Sequence, residues 1–152
     1  MTNINDKIES FELDTDQGKF YSKDNAGKNL VLFFFPKADT TVCTKEAISF
    51  SNLINEFKNL NTVVIGISKD TVEKQAKFKS KYDLKCILGS DVDIKICSKF
   101  GVWVEKSMYG KKYMGIQRST FLINTERKIQ HIWNKVKVPG HAEEVLEVVK
   151  KL

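Results

Sequence analysis

Residues 29–44 read NLVLFFFPKADTTVCT. Asn29 to Phe35 form a continuous apolar run, as expected of a central β-strand covered on both faces. Pro36 marks its end, because proline cannot donate to a sheet ladder. From Thr41 the period changes: Ala47, Phe50, Ile54 and Phe57 recur at intervals of three and four, the stripe of an amphipathic helix. The expectation is a buried strand, a polar loop, and a helix carrying Cys43 in its first turn.

Working outward, Phe11-Glu12-Leu13 and Lys19-Phe20-Tyr21 flank the turn-prone Asp14 to Gly18, which predicts an N-terminal β-hairpin. Downstream, Thr62 to Ser68 (TVVIGIS) reads as a second buried strand. Asp70, with Glu73 three residues on, reads as the start of a helix with Val72, Ala76 and Tyr82 on its apolar side. Cys86-Ile87-Leu88 reads as a short strand and Asp93 to Phe100 as a short helix. Ser119 to Ile123 and Lys128 to Trp133 read as a hairpin around Asn124 to Arg127. A final helix, Ala142 to Leu152, places Ala142, Val145, Leu146, Val149 and Leu152 on one face, with charges that complement its dipole. This order implies an α/β, thioredoxin-like fold, a mixed central sheet with helices on both faces and the hairpin at its start. No repeat, linker or low-complexity stretch divides the chain, so residues 1–152 are expected to form one domain.

Composition narrows the function classes. The 152 residues are 41% hydrophobic and 29% charged, as in an ordinary soluble protein. Asp6, Lys7, Glu9 and Glu12 interrupt any apolar core of a secretory signal, so a cytoplasmic location is expected. Three cysteines, Cys43, Cys86 and Cys97, are an odd number without regular spacing, which argues against a disulfide framework and a zinc site. His131 and His141 lack ligand-like partners and read as surface or packing residues; no metal or cofactor is expected. The net charge of +6 comes mostly from dispersed lysines. Without stacking aromatics or a basic recognition helix, these read as a solvated face, and neither a specific nucleic acid nor a membrane is an expected partner.

Cys43 has two readings from its position alone. First-turn N–H groups lack helical acceptors and favour a thiolate, but a cysteine there can equally be a small apolar filler. Its neighbours bear on the choice. Pro36, Thr40 and Cys43 spell P-x-x-x-T-x-x-C, and this segment resembles the active site of the peroxiredoxins. The resemblance extends over Val31 to Cys43, Val64 to Ser68, and Asp91 to Ile123, including Phe100 to Trp103, Glu105 to Ser107 and Gly115 to Arg118. These segments look like the Q-type or bacterioferritin-comigratory subgroup.

The resemblance implies a thiol-dependent peroxidase acting on hydrogen peroxide and organic hydroperoxides. It gives Cys43 the role of peroxidatic thiolate, which becomes a sulfenic acid. Thr40 would direct its hydroxyl at the sulfur and peroxide, Pro36 would shield the sulfur from water, and Arg118 would stabilise charge on sulfur and leaving oxygen. Singly, Thr40 reads as a helix cap, Pro36 as a strand terminator and Arg118 as a surface ion-pair former; together, at matching positions, they favour function. The pattern also departs from the family. Thr41-Val42 replaces Pro-Gly, and Ile48 stands where the usual resolving cysteine lies. The alternative location near Lys79 holds no cysteine either. Cys86 and Cys97 read as core residues. The expectation is a one-cysteine cycle with an external thiol such as thioredoxin, glutaredoxin or glutathione, in a monomer or weak homodimer. The competing expectation is a non-catalytic thioredoxin-like redox sensor or chaperone module.

Overall fold

The computed structural model describes residues 3–152. The chain runs β1 (Glu12–Thr15), β2 (Gly18–Tyr21), β3 (Asn29–Phe34), α1 (Thr41–Asn52), α2 (Ile54–Asn59), β4 (Thr62–Ser68), α3 (Val72–Tyr82), β5 (Ile87–Ser90), α4 (Lys95–Lys99), β6 (Trp103–Met108), β7 (Lys111–Ile116), β8 (Ser119–Ile123), β9 (Ile129–Trp133) and α5 (His141–Lys150). Seven strands form one mixed sheet in the order β2-β1-β5-β4-β3-β8-β9, and β6 and β7 form a separate hairpin. The central β3, β4 and β5 are parallel, whereas β8 runs antiparallel to β3 and β1 antiparallel to β5.

The apolar run of β3 organises both layers of the core. Successive side chains of a strand point to opposite faces. Val31, Phe33 and Phe35 therefore enter one cluster with Cys43, Ala47, Phe50, Phe78, Val145 and Leu146, while Leu30, Leu32 and Phe34 enter another with Cys97, Phe100, Val102 and Phe121. Phe33 stacks on Phe50 with ring centroids 4.5 Å apart and 14° between planes, which clamps α1 to the sheet. Gly66 makes room for that stack: a β-carbon there would lie 2.5 Å from the Phe33 ring. The position of Cys43 is thus fixed by aromatic packing two turns along its own helix.

Several local expectations change. The stripe from Ala47 to Phe57 is divided between α1 and α2 at Leu53, whose N–H bonds back to Phe50 at 3.1 Å. Thr71, not Asp70, caps α3 by accepting from the Lys74 N–H at 3.3 Å. Val72 and Ala76 are exposed, and α3 turns Gln75 and Phe78 inward. Gln75 is tolerated there because its amide donates to Ser68 Oγ and the Gly89 carbonyl, both at 2.8 Å. The C-terminal helix ends at Lys150, which leaves Leu152 exposed. The β6–β7 hairpin has no counterpart in the sequence reading. Its turn, Tyr109-Gly110, has positive φ at both residues (52° and 79°), a conformation usually signalled by asparagine or aspartate before glycine; tyrosine hides it.

Candidate active site

Thr40 is the last extended residue before α1, and the first helical bond runs from the Thr44 N–H to the Thr40 carbonyl at 2.9 Å. The N–H groups of Thr41, Val42 and Cys43 find no acceptor among the described residues, and they leave partial positive charge around the Cys43 side chain. Cys43 is only 2% exposed. Arg118, in the two-residue link between β7 and β8, donates from Nη2 to Cys43 Sγ at 3.2 Å and from Nη1 to Glu46 Oε1 at 2.7 Å. One guanidinium fork therefore bridges two residues of the same helix three positions apart, as i and i+3 neighbours on one helix face allow.

Glu46 is the residue that the sequence reading missed. It is 1% exposed, its second carboxylate oxygen has no partner among the described residues, and burial, outweighing the attraction of Arg118, pushes its carboxyl up to about 7. The available signal was its place three residues after Cys43, where a charge on the face of the apolar stripe demands a partner.

Pro36 is half-buried, two residues beyond the end of β3 at Phe34. Thr40 differs from expectation in its hydroxyl, which donates to the Lys37 carbonyl at 2.8 Å rather than to sulfur. The loop curls back on itself there, and the Thr40 oxygen keeps its lone pairs for another donor. Two carboxylates hold this loop: Asp70, outside it, accepts the Ala38 N–H at 2.7 Å, and Asp39, within it at φ 61°, accepts from the Tyr82 hydroxyl at 2.7 Å and Lys81 Nζ at 3.0 Å, both on α3. The hydrogen bonds from Tyr82 and Lys81 hold the Asp39 carboxyl below its ordinary range. Asp70 is thus a loop anchor, not the start of a helix.

The other cysteines are buried in the core, Cys86 in the same layer as Cys43 and Cys97 in the opposite one. Cys86 is fully buried, with Ser51 Oγ at 3.6 Å, and burial pushes its thiol up to about 11. Cys97 belongs to the opposite core layer, and burial together with the neighbouring Asp91 carboxylate raises its thiol further still. His131 packs against Trp133 in a tilted arrangement with centroids 4.0 Å apart. Buried His141 pairs its Nε2 with Thr120 Oγ1 at 2.8 Å, and burial pushes the imidazole down to about 4. Among the described residues no three His, Cys, Asp or Glu side chains gather to hold a metal, and no helix is long and apolar enough to cross a membrane.

Glu46 and His141 make opposite contributions to the pH dependence of stability. The folded Glu46 keeps a proton that the unfolded chain releases near its ordinary 4.5, so stability present below 4.5 is lost as pH rises through about 7. The folded His141 refuses a proton that the unfolded chain accepts near 6.5, so stability is lost as pH falls from 6.5 towards about 4. Relative to wild type, Glu46→Gln should show stability rising more steeply with pH between 5 and 6.5, by up to about 1.4 kcal/mol per pH unit. Urea midpoints at several pH values check this; parallel profiles for the two proteins would contradict it.

Comparison with known proteins agrees with the geometry. Residues 4–132 match the AhpC/TSA family. A putative peroxiredoxin Bcp of Coxiella burnetii is 46% identical over 144 residues, covering 94% of this chain and 95% of that protein. Peroxiredoxin Bcp of Bacillus subtilis is 42% identical over 150 residues, covering 98% and 96% respectively. The crystal structure of a PrxQ cysteine-to-serine mutant from Xylella fastidiosa superposes with a TM-score of 0.95 at 36% identity, covering 99% of this chain and 97% of that one. A bacterioferritin comigratory protein of Xanthomonas campestris, studied for alkyl peroxide reduction, superposes with a TM-score of 0.89 at 36% identity over 96% of this chain and 98% of its own. With sequence relatives and structural neighbours agreeing on a thiol peroxidase rather than a non-catalytic module, the chain belongs to the AhpC/TSA family, in its peroxiredoxin Q or Bcp branch.

Proposed function

We propose that Cys43 is the peroxidatic nucleophile, that Arg118, Thr40 and Pro36 serve it, and that the enzyme works by a one-cysteine cycle. The observation that carries this reading is the Arg118 guanidinium donating to Cys43 Sγ at 3.2 Å from a helix tip with unpaired N–H groups. The Cys43 thiolate attacks one oxygen of hydrogen peroxide or an organic hydroperoxide. An S–O bond forms and the O–O bond breaks. The leaving alkoxide or hydroxide, stabilised by the guanidinium, takes up a proton, and sulfenic acid remains on Cys43. The Thr40 oxygen, its own proton committed to Lys37, accepts from the peroxide O–H and aligns it. Pro36 keeps water off the sulfur.

Completion of the cycle then falls to an external thiol of the thioredoxin, glutaredoxin or glutathione type. Ile48 offers no sulfur, Cys97 lies across the sheet, and Cys86 is fully buried with its thiol pushed up to about 11. The contribution of β3 to both core layers supports one domain over residues 1–152, and three free cysteines suit the reducing cytoplasm. A monomer or weak homodimer is the expected assembly. Intact-mass analysis after one equivalent of peroxide tests the cycle. The expected product gains a single oxygen and is trapped at Cys43 by a sulfenic-acid probe; an intramolecular disulfide to Cys86 or Cys97 as main product would overturn it.

A further inference from the structure

We infer that Lys106 is a specificity-determining residue of the Cys43 site, a second cation beside Arg118 that selects anionic thiols as reductants. The inference rests on the peroxidase reading above and adds to it the charge class of the reducing partner.

Register places Lys106. Antiparallel partners share a face, so the pairs Val104–Gly115, Lys106–Tyr113 and Met108–Lys111 line one side of the β6–β7 hairpin. The other side carries Trp103 and Ile116, which root the hairpin in the second core layer. The Gln117 N–H bonds to the Val102 carbonyl at 2.8 Å and closes the hairpin base one residue before Arg118. Gly115 leaves space for the lysine stem: a β-carbon there would lie 3.2 Å from Lys106 Cδ and 3.5 Å from Cε. The stem therefore lies across the glycine, and the partly buried ammonium feels both the Arg118 guanidinium and the Cys43 sulfur. Lys106 makes no ion pair among the described residues, so its charge is not committed to holding the fold.

The two half-reactions use that charge differently. Before oxidation, two cations face one thiolate and a Glu46 carboxyl that burial holds back from ionising. Oxidation leaves sulfur as an uncharged sulfenic acid, and the positive field of Arg118 and Lys106 loses its counter-charge at the sulfur. A reductant thiolate bonds to Cys43 Sγ as the S–O bond breaks, and the oxygen leaves as hydroxide that takes one proton to become water. A second thiolate attacks the reductant sulfur of this mixed disulfide, releasing the Cys43 thiolate and the oxidised reductant. Every incoming group is negative at sulfur, and a further carboxylate near that sulfur is favoured by the same field.

The experiment forms the Cys43 sulfenic acid with one equivalent of peroxide and measures its reduction by mercaptopropionate, mercaptoethanol and cysteamine, with rates expressed per thiolate. The wild type should favour the anionic over the cationic thiol by about 10-fold at low salt, less as salt rises. Lys106→Met, which keeps the stem over Gly115, should compress that ratio by about 3- to 10-fold, and Lys106→Arg should preserve it. Lys112→Met removes the same charge from the opposite face of the hairpin and should leave the ratio unchanged; Lys106→Gln repeats the test should the methionine variant fold poorly. A ratio unaltered in the Lys106 variants, or lowered equally by Lys112→Met, overturns the inference while leaving the peroxidase reading intact. Absence of sulfenic acid at Cys43 overturns both.

Discussion

Cys43→Ser should reduce peroxide consumption about a thousand-fold or more, to the background of free thiol, with every reductant tried. Serine keeps the size of the side chain, so α1, the Phe33–Phe50 stack and the Glu46–Arg118 pair should survive and the fold with them. What disappears is a polarisable sulfur nucleophile that accepts oxygen. Cys86→Ser and Cys97→Ser should keep turnover, because neither thiol lies on the path of the reaction and both are disfavoured as thiolates by burial. Parallel assays of the three variants decide the matter. Turnover lost in Cys86→Ser as completely as in Cys43→Ser would restore a two-cysteine mechanism.

Arg118→Met should slow sulfenic acid formation by about 100- to 1,000-fold, the usual cost of removing one pre-oriented donor to developing charge. The same substitution strips Glu46 of its one side-chain hydrogen-bond partner among the described residues. A buried carboxylate left unpaired commonly costs 3–5 kcal/mol. The Glu46 carboxyl is already pushed up to about 7 and can take up a proton, so a loss of about 1–3 kcal/mol is expected instead. Arg118→Lys should restore stability better than rate, since a single ammonium cannot donate in the forked geometry that reaches Sγ and Oε1 together. Stopped-flow oxidation and urea unfolding of both variants supply the measurements. A methionine variant within threefold of wild-type rate would remove Arg118 from the mechanism.

Most of what positions the site was legible in residues 29–44, because the signals there are redundant. An all-apolar strand, a terminating proline and a change from continuous to three-and-four spacing each point to the same strand-loop-helix unit. The P-x-x-x-T-x-x-C spacing and Arg118 singled out four residues. The structure brings two of them, Cys43 and Arg118, into contact and places Thr40 and Pro36 on the adjoining loop. Glu46 escaped notice because a glutamate on a helix reads as solvent-facing until its partner, 72 residues away, is known. Asp70 was misread for a related reason: aspartate before a helix resembles a cap, and nothing local reveals that its carboxylate reaches back to Ala38. Gln75 defeated the expected α3 face because a buried amide that donates to neighbouring strands carries no apolar signal. Charged and polar residues that act through distant chain segments were the illegible class.

Ile48 has a wider consequence. A hydrocarbon at that place means that, on the proposed cycle, oxidised Cys43 must await a collision, and its lifetime lengthens as cellular thiol runs low. A second peroxide can then reach the same sulfur first and carry it to sulfinic acid, beyond recovery by ordinary thiols. The protein would behave as a fuse, dependable while its surroundings are well supplied with reducing power and spent by a surge that outruns them.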